Sequence, residues 1–246
     1  MADWFKMQAV VTDSDCGADG IMRLDAWFQL FQWIAVQHNT ALGCDHDGLL
    51  PKSVVWVLLG AHAHWRRPVR VGERLVIETA PSASSHGMFQ RRIKITDDNG
   101  NEVAGNVGFW TLLDYETRRI TRCEAIQKRH GETEIGPGAR PVPFAAIEGA
   151  DVGAWAYTPS GIDIDDNGHV NNARYIAWLG DALRGRDGGT PTLQTLDAWY
   201  ASEVLPGERL TGRVARATDG RFTFEAFRSG SEKACFTASG QANRTI

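Results

Sequence analysis

Apolar and polar residues follow two different periods along this chain, and each change of period marks an element. From Leu24 onward, Trp27, Phe28, Phe31, Ile34 and Ala35 recur every three or four positions. That spacing predicts a helix with one buried face, and Gly43 supplies its stop. A second stripe, Ala173, Ile176, Ala177, Gly180 and Leu183, is narrower and made of smaller residues, with Gly185 as its stop. Elsewhere the period falls towards two. Strands are predicted over 53–59, 75–79, 89–96 and 103–113 behind the first helix, and over 195–200, 210–217, 222–228 and 234–239 behind the second. Asp98-Asn99-Gly100 reads as a hairpin turn. A long helix followed by antiparallel strands thus occurs twice.

The repetition reaches individual residues. Trp65-Arg66-Arg67-Pro68-Val69-Arg70-Val71-Gly72-Glu73-Arg74-Leu75 and Trp199-Tyr200-Ala201-Ser202-Glu203-Val204-Leu205-Pro206-Gly207-Glu208-Arg209-Leu210 both run from Trp to Gly-Glu-Arg-Leu, with one residue more in the second. Ala18-Asp19-Gly20 precedes the first helix as Asp166-Asn167-Gly168 precedes the second, and Gly87-Met88-Phe89 and Gly220-Arg221-Phe222 each lead into a strand. Their shared order argues for a tandem duplication. The Gly- and Pro-rich stretch between the copies (Gly136-Pro137-Gly138, Pro141, Pro143) reads as a linker over 131–150, leaving one unit over 1–130 and another over 151–246.

Composition narrows the class. An apolar fraction of 43% with 23% charged residues is that of a globular protein, and a net charge of −4 argues against a general nucleic-acid binder. The first residues lack a basic region followed by an apolar run, and no window approaches the ~18 apolar residues of a membrane span. No signal peptide and no membrane partner are therefore expected. Cys16, Cys44, Cys123 and Cys235 form no CxxC pair, which fits packing thiols in a reduced, cytoplasmic setting.

The chemistry concentrates in Asp163-Ile164-Asp165-Asp166-Asn167-Gly168-His169-Val170-Asn171-Asn172, which runs straight into Ala173-Arg174-Tyr175-Ile176-Ala177-Trp178. Polar side chains delivered to a helix N-terminus suit the stabilisation of negative charge. Asp163, Asp165, Asn167 and Gly168 also fit positions 1, 3, 5 and 6 of a calcium loop, but position 12, which needs a bidentate acid, is Arg174. His62 and His64 share one strand face, yet no third ligand lies near them, so no metal is expected.

Asp-x-Asn-x-His ahead of Val-Asn-Asn and a Tyr-Ile-x-Trp helix resembles the acyl-acyl-carrier-protein (acyl-ACP) thioesterases of plastids and bacteria. Tyr200-Ala201-Ser202-Glu203 matches that family's Tyr-x-x-Glu, and Gly17-Ala18-Asp19 and Gly87-Met88 extend the likeness over nearly all of the chain. The resemblance implies an α+β tandem hotdog: two antiparallel sheets, each wrapping a long helix and joined side by side. It implies Asp165, Asn167, His169 and Glu203 as the catalytic set, with Glu203 in a strand context, no cofactor, and acyl carrier protein as the partner that presents the substrate. Either Glu203 or His169 could be the base. Val204 stands where plant relatives carry Cys, which favours a route through water, and Gly168 replaces a larger polar residue and is expected to loosen the turn.

In the first copy the places of Glu203 and His169 fall at Pro68 or Val69 and at Ile21, none of which can move a proton. That copy is expected to be catalytically silent and to build the acyl pocket with Trp27, Phe28 and Phe31. The groups Arg66-Arg67-Arg70, Arg91-Arg92-Lys94 and Arg118-Arg119-Arg122 read as solvated faces, one of which could dock an acidic carrier. An acyl-CoA thioesterase and a non-catalytic acyl-binding module on the same fold are the rival readings. The oligomeric state is left open, with a homodimer among the options.

Overall fold

A computed structural model describes residues 4–49, 53–85, 87–132, 139, 141–147, 151–165, 167–184 and 189–243. In chain order the elements are β1 (Phe5–Val10), α1 (Leu24–Ala41), α2 (His46–Leu49), β2 (Val54–Trp65), β3 (Arg74–Ser85), β4 (Met88–Asp97), β5 (Glu102–Asp114) and α3 (Glu124–Glu132). The second half follows with β6 (Asp151–Tyr157), α4 (Asn172–Leu183), β7 (Leu193–Tyr200), β8 (Leu210–Arg216), β9 (Arg221–Arg228) and β10 (Ala234–Ala242). Gly185, Asp166 and Gly136-Pro137-Gly138 lie outside the described residues. No helix among the described residues is long and apolar enough to cross a membrane.

Ten antiparallel strands form one sheet in the order β1-β3-β4-β5-β2-β7-β10-β9-β8-β6. Each half of that order mirrors the other, as a duplicated unit requires. The halves join where β2 pairs with β7, from Gly60 opposite Trp199 to His64 opposite Thr195. Helices α1 and α4 contact each other, and both bury apolar stripes: Trp27, Phe28, Phe31 and Ile34 from one, Ala173, Ile176, Trp178 and Leu179 from the other. At roughly 1.5–3 kcal/mol for each large side chain taken out of water, these stripes are the main force holding helix to sheet. This is the tandem hotdog architecture.

The strands run longer than their alternation predicts, and β2 shows why. A register shift between Leu58 and Gly60 switches which residues face inward. Val54 and Leu58 are buried before it, Ala61, Ala63 and Trp65 after it. A period of two read across such a bulge breaks down, so the predicted strand ended at 59. The outer strands β1 and β6 were not predicted at all. β6 carries only small residues between its aromatics, Asp151-Val152-Gly153-Ala154-Trp155-Ala156-Tyr157.

Strand β4 corrects one expectation about charge. Arg91 shares the inward alternation of Phe89, Ile93 and Ile95 and is only 3% exposed, so it belongs to no solvated face. Its Nη1 donates to His38 Nδ1 at 2.8 Å and its Nη2 to Asn39 Oδ1 at 2.6 Å, pinning the last turn of α1 to the sheet. His38 is itself buried, with its ring stacked on Phe5 at 5.0 Å. Burial, with the Arg91 charge second, pulls the imidazole down to about 4.

His38 therefore stays neutral in the folded protein while the unfolded chain protonates near pH ~6.5. Its contribution to stability is present above that pH and is lost as the pH falls towards 4. Between pH 7 and 5 the loss is about 2 kcal/mol. Urea unfolding of wild type and His38→Gln at both pH values checks this: the wild type should lose about 2 kcal/mol more than the variant on acidification. Equal losses would show that His38 does not set the slope.

Candidate active site at the seam of the two halves

The turn before α4 is built from inside outward. Asp163 is fully buried and accepts from the Ser160 N–H at 2.8 Å, Tyr157 Oη at 3.0 Å and Arg174 Nε at 2.6 Å. Burial alone would raise its pKa. The Ser160 N–H and the Arg174 guanidinium outweigh it and hold the carboxyl below its usual range. Arg174, whose place in a calcium loop needs an acid, is thus the cation that Asp163 binds.

A short hairpin grows from this anchor. Asp165 N donates to His169 C=O at 2.9 Å, Gly168 N to Asp165 C=O at 3.1 Å, and Asn167 N to Asp165 Oδ1 at 3.0 Å. Gly168 has φ +79°, a left-handed conformation that costs glycine little. It sustains the turn rather than loosening it. Asn171 then caps α4, its Oδ1 accepting from Ala173 N at 2.9 Å.

One backbone bond carries the turn to Glu203. Val170 N donates to Val204 C=O at 3.0 Å, and this register leaves His169 Nε2 3.1 Å from Glu203 Oε2. Glu203 is not in a strand: β7 stops at Tyr200, and the carboxylate projects from the segment that follows. Val204 is completely buried, so the neighbour of the acid faces the core. Glu203 Oε2 also accepts from Arg118 Nη2, which comes from the first copy. Arg118 has φ +57°, which residues other than glycine adopt only when the surrounding structure holds them there. The sequence marks Arg118 only as one of a group of exposed arginines, not as a partner of Glu203. It follows a turn that Asp114 ties by accepting from the N–H of Thr117 at 2.7 Å.

A cavity of about 300 Å³ opens against the turn before α4, but His169, Glu203 and Arg118 are not among its lining residues. Asp165, Asn167, Asn171 and Asn172 line it from the second copy; Gln32, Ala35, Val36 and Asn39 of α1, with Trp56, Phe89, Arg91 and Trp110, line it from the first. Trp27, Phe28 and Phe31 do not line it. They fill the space between α1 and the sheet, with Phe28 and Phe31 bordering an adjacent void of about 20 Å³. The α1 residues that line the large cavity flank the aromatic stripe. The polar ones among them, Gln32 and Asn39, carry no signal in the hydrophobic pattern.

The first copy repeats the same hydrogen-bond frame with different side chains on it. Gly17 N donates to Ile21 C=O, Gly20 N to Gly17 C=O, and Met22 N to Val69 C=O, each at 2.9 Å. Bond for bond, Asp165, Asn167 and His169 correspond to Gly17, Asp19 and Ile21, while Val204 corresponds to Val69 and hence Glu203 to Pro68. The inserted residue of the sequence comparison disappears. Trp65 and Tyr200 both face inward, Trp65 at 6.5 Å from Trp27 and Tyr200 at 5.5 Å from Tyr175, and each stands seven positions before its Gly. Trp199 lies on the other face, stacked on Phe109 at 5.5 Å. Asp19 has been turned to structure: its carboxylate takes both the N–H and the Oγ1 of Thr190 from the second copy, each at 2.8 Å. A Cβ at Gly17 would lie 2.1 Å from that same Oγ1, so this frame has no room for a counterpart of Asp165.

The remaining sequence candidates are occupied elsewhere. His62 pairs with Asp197 at 2.7 Å and His64 with Glu102 at 2.8 Å, each imidazole on its own carboxylate. Arg67 is held by Glu73 at 2.8 Å and Asp97 at 3.3 Å, and Arg66 lies 3.7 Å from Glu102.

Two hotdog halves fused through one sheet, with an acid–imidazole pair at a helix start beside the seam, define a double-hotdog protein. Family models place it further: the acyl-ACP thioesterase N-terminal domain matches residues 2–126 and the C-terminal domain residues 151–235, and the chain belongs to that family. An acyl-[acyl-carrier-protein] hydrolase of Cuphea viscosissima chloroplasts is 23% identical over 189 residues, 71% of this chain and 46% of that protein. The chain therefore spans about half the length of the curated relatives it matches. The solved structures of an acyl-ACP thioesterase from Bacteroides thetaiotaomicron and of the 12:0-ACP thioesterase from Umbellularia californica superpose with TM-scores of 0.82 and 0.83. Both cover 98% of this chain and of their own, at 18% identity.

The contrast between the two frames is testable. Asp19→Asn keeps one acceptor for Thr190 and should cost about 1–2 kcal/mol of stability while leaving the rate on an acyl thioester intact. Asp165→Asn should lower that rate at unchanged melting temperature. Equal kinetic damage in two well-folded variants would contradict the correspondence of the frames.

Proposed function

We propose that the chain hydrolyses the thioester of a fatty acyl-ACP, yielding a free fatty acid and the carrier's thiol. The observation that carries this reading is the 3.1 Å contact between His169 Nε2 and Glu203 Oε2, made by the same turn whose Asp165 and Asn167 line the cavity. Water adds to the carbonyl carbon as its proton passes to this pair, and the proton is then delivered to the departing sulfur. Either member can be the first acceptor. Asn167 and the positive end of α4 favour the charge that develops on the carbonyl oxygen. Asp165 orients the turn by binding the Asn167 N–H. The cavity receives the acyl chain, and the first copy contributes walls, not proton transfer.

An acidic carrier would meet the third arginine group most directly. Arg118 is committed to Glu203, and Arg119 and Arg122 beside it are exposed. In the first of the other two groups Arg67 is held by two acids and Arg70 Nη1 by the Asp19 C=O, and in the second Arg91 is buried.

Glu203→Gln keeps the shape of the side chain and removes its charge. Turnover of acyl-ACP should fall by about two to four orders of magnitude, with the melting temperature unmoved. Near-normal hydrolysis by the folded variant would remove Glu203 from the mechanism. Replacing Arg119 and Arg122 with Ser should raise KM for acyl-ACP and flatten its salt dependence, since the Debye length is about 8 Å near physiological ionic strength. A small soluble thioester should not register the change. Faster turnover of acyl-CoA, with acyl-ACP indifferent to salt and to both replacements, would transfer the reading to an acyl-CoA thioesterase.

A further inference from the structure

The cavity wall contains a buried guanidinium that thioester hydrolysis does not use. Arg91 lines both the 300 Å³ cavity and the smaller void beside Phe28 and Phe31. Its partners are all neutral: His38 Nδ1 at 2.8 Å, Thr79 Oγ1 at 3.4 Å and Asn39 Oδ1 at 2.6 Å. No carboxylate pairs with it among the described residues. Burial pulls the guanidinium down to about 10, which still leaves it charged at neutral pH. A guanidinium has five N–H donors, and among the described residues these contacts engage three of them, leaving Nε–H and one Nη2–H for a ligand.

Bare alkyl chain against such a wall would leave those donors dry, which is costly for a buried charged group. An oxygen acceptor on the ligand would satisfy them. A second carboxylate is not the favoured form of that acceptor, because Asp45 and Asp165 already line the same cavity and would repel it. A hydroxyl or oxo oxygen accepts from the guanidinium without adding charge. The other polar walls, Gln32, Asn39 and Asn167, are equally unlike a purely greasy tunnel.

We propose that the cavity is built for acyl chains bearing an oxygen substituent, hydroxy or oxo, whose oxygen accepts a hydrogen bond from Arg91. This deepens the acyl thioesterase reading and rests on it for the identity of the ligand. In the unliganded protein Arg91 also fastens α1 to β4, so its replacement alone is not a sufficient test.

The test compares kcat/KM for acyl-ACPs of equal chain length with and without a hydroxy or oxo group at successive carbons. The wild type should favour one oxygenated chain at least about tenfold, the rate equivalent of one modest hydrogen-bond difference. Arg91→Met, similar in reach and uncharged, should bring that ratio to about one or invert it. Preference for the unsubstituted chain in the wild type, or a ratio unmoved in Arg91→Met, overturns the proposal. Should Arg91→Met not fold, calorimetric binding of matched free acids to the wild type decides: an oxygenated acid should bind about tenfold tighter, and equal or weaker binding overturns the assignment. Absence of turnover on every thioester would defeat the hydrolase reading, whereas the binding comparison judges Arg91 separately.

Discussion

The pairing of β2 with β7 is the constraint on which the rest of this molecule depends. It makes one sheet of two and sets the halves at a fixed register. Gly60 permits it: a Cβ there would stand 2.5 Å from the Trp199 ring and 2.7 Å from Ala198 C=O. Three of the four inward residues at the seam are small, Ala61, Ala63 and Ala198 beside Leu196, all buried, which leaves room beneath for α1 and α4 to meet. His62 and Asp197 clasp the same seam, and the Asp197 carboxylate holds the imidazole above its usual pKa. With the halves locked, side chains far apart in the chain become neighbours: Arg118 reaches Glu203, and Asp19 reaches Thr190.

Duplication followed by divergence gives these cross-contacts their sense. Both copies keep the hydrogen-bonded hairpin that opens the long helix, because that frame is what packs the helix onto the sheet. What differs is the cargo. The second frame carries Asp165, Asn167 and His169 and receives Glu203; the first carries Gly17, Asp19 and Ile21 and receives Pro68. In the first, Thr190 of the other copy occupies the space next to Gly17. One frame thus turns Asp165 and Asn167 towards the cavity, and the other fastens the halves together.

How much of this could be read beforehand follows from the range of each interaction. Helices α1 and α4 were legible because their stripes are long and uninterrupted. β2 was cut short because its bulge inverts the alternation after Leu58, and β6 escaped because its small residues carry little periodic signal, whereas Phe5-Lys6-Met7-Gln8-Ala9 of β1 does alternate and was legible. His169 and Glu203 came from a family resemblance, since nothing local distinguishes Glu203 from any surface acid. Arg118 could not be foreseen, being 85 positions from its partner. Arg91 could have been: it sits on the same alternation as Phe89, Ile93 and Ile95, where a charge is out of place. Trp27, Phe28 and Phe31 were assigned to the pocket because they are aromatic, but aromatics on the central stripe of a helix are consumed by the core.

The central claim is that the reactive pair is assembled across the seam, with Glu203 held between His169 of its own copy and Arg118 of the other. Steady-state hydrolysis of a small soluble thioester by Arg118→Gln tests this most directly, because that substrate needs no carrier-docking surface. The account predicts that kcat falls about tenfold or more, the rate equivalent of a charge-assisted hydrogen bond of ~1.5 kcal/mol, with the melting temperature unchanged. Full kcat in the folded variant would contradict it, and would leave Arg118 a surface residue whose contact with Glu203 does no chemistry.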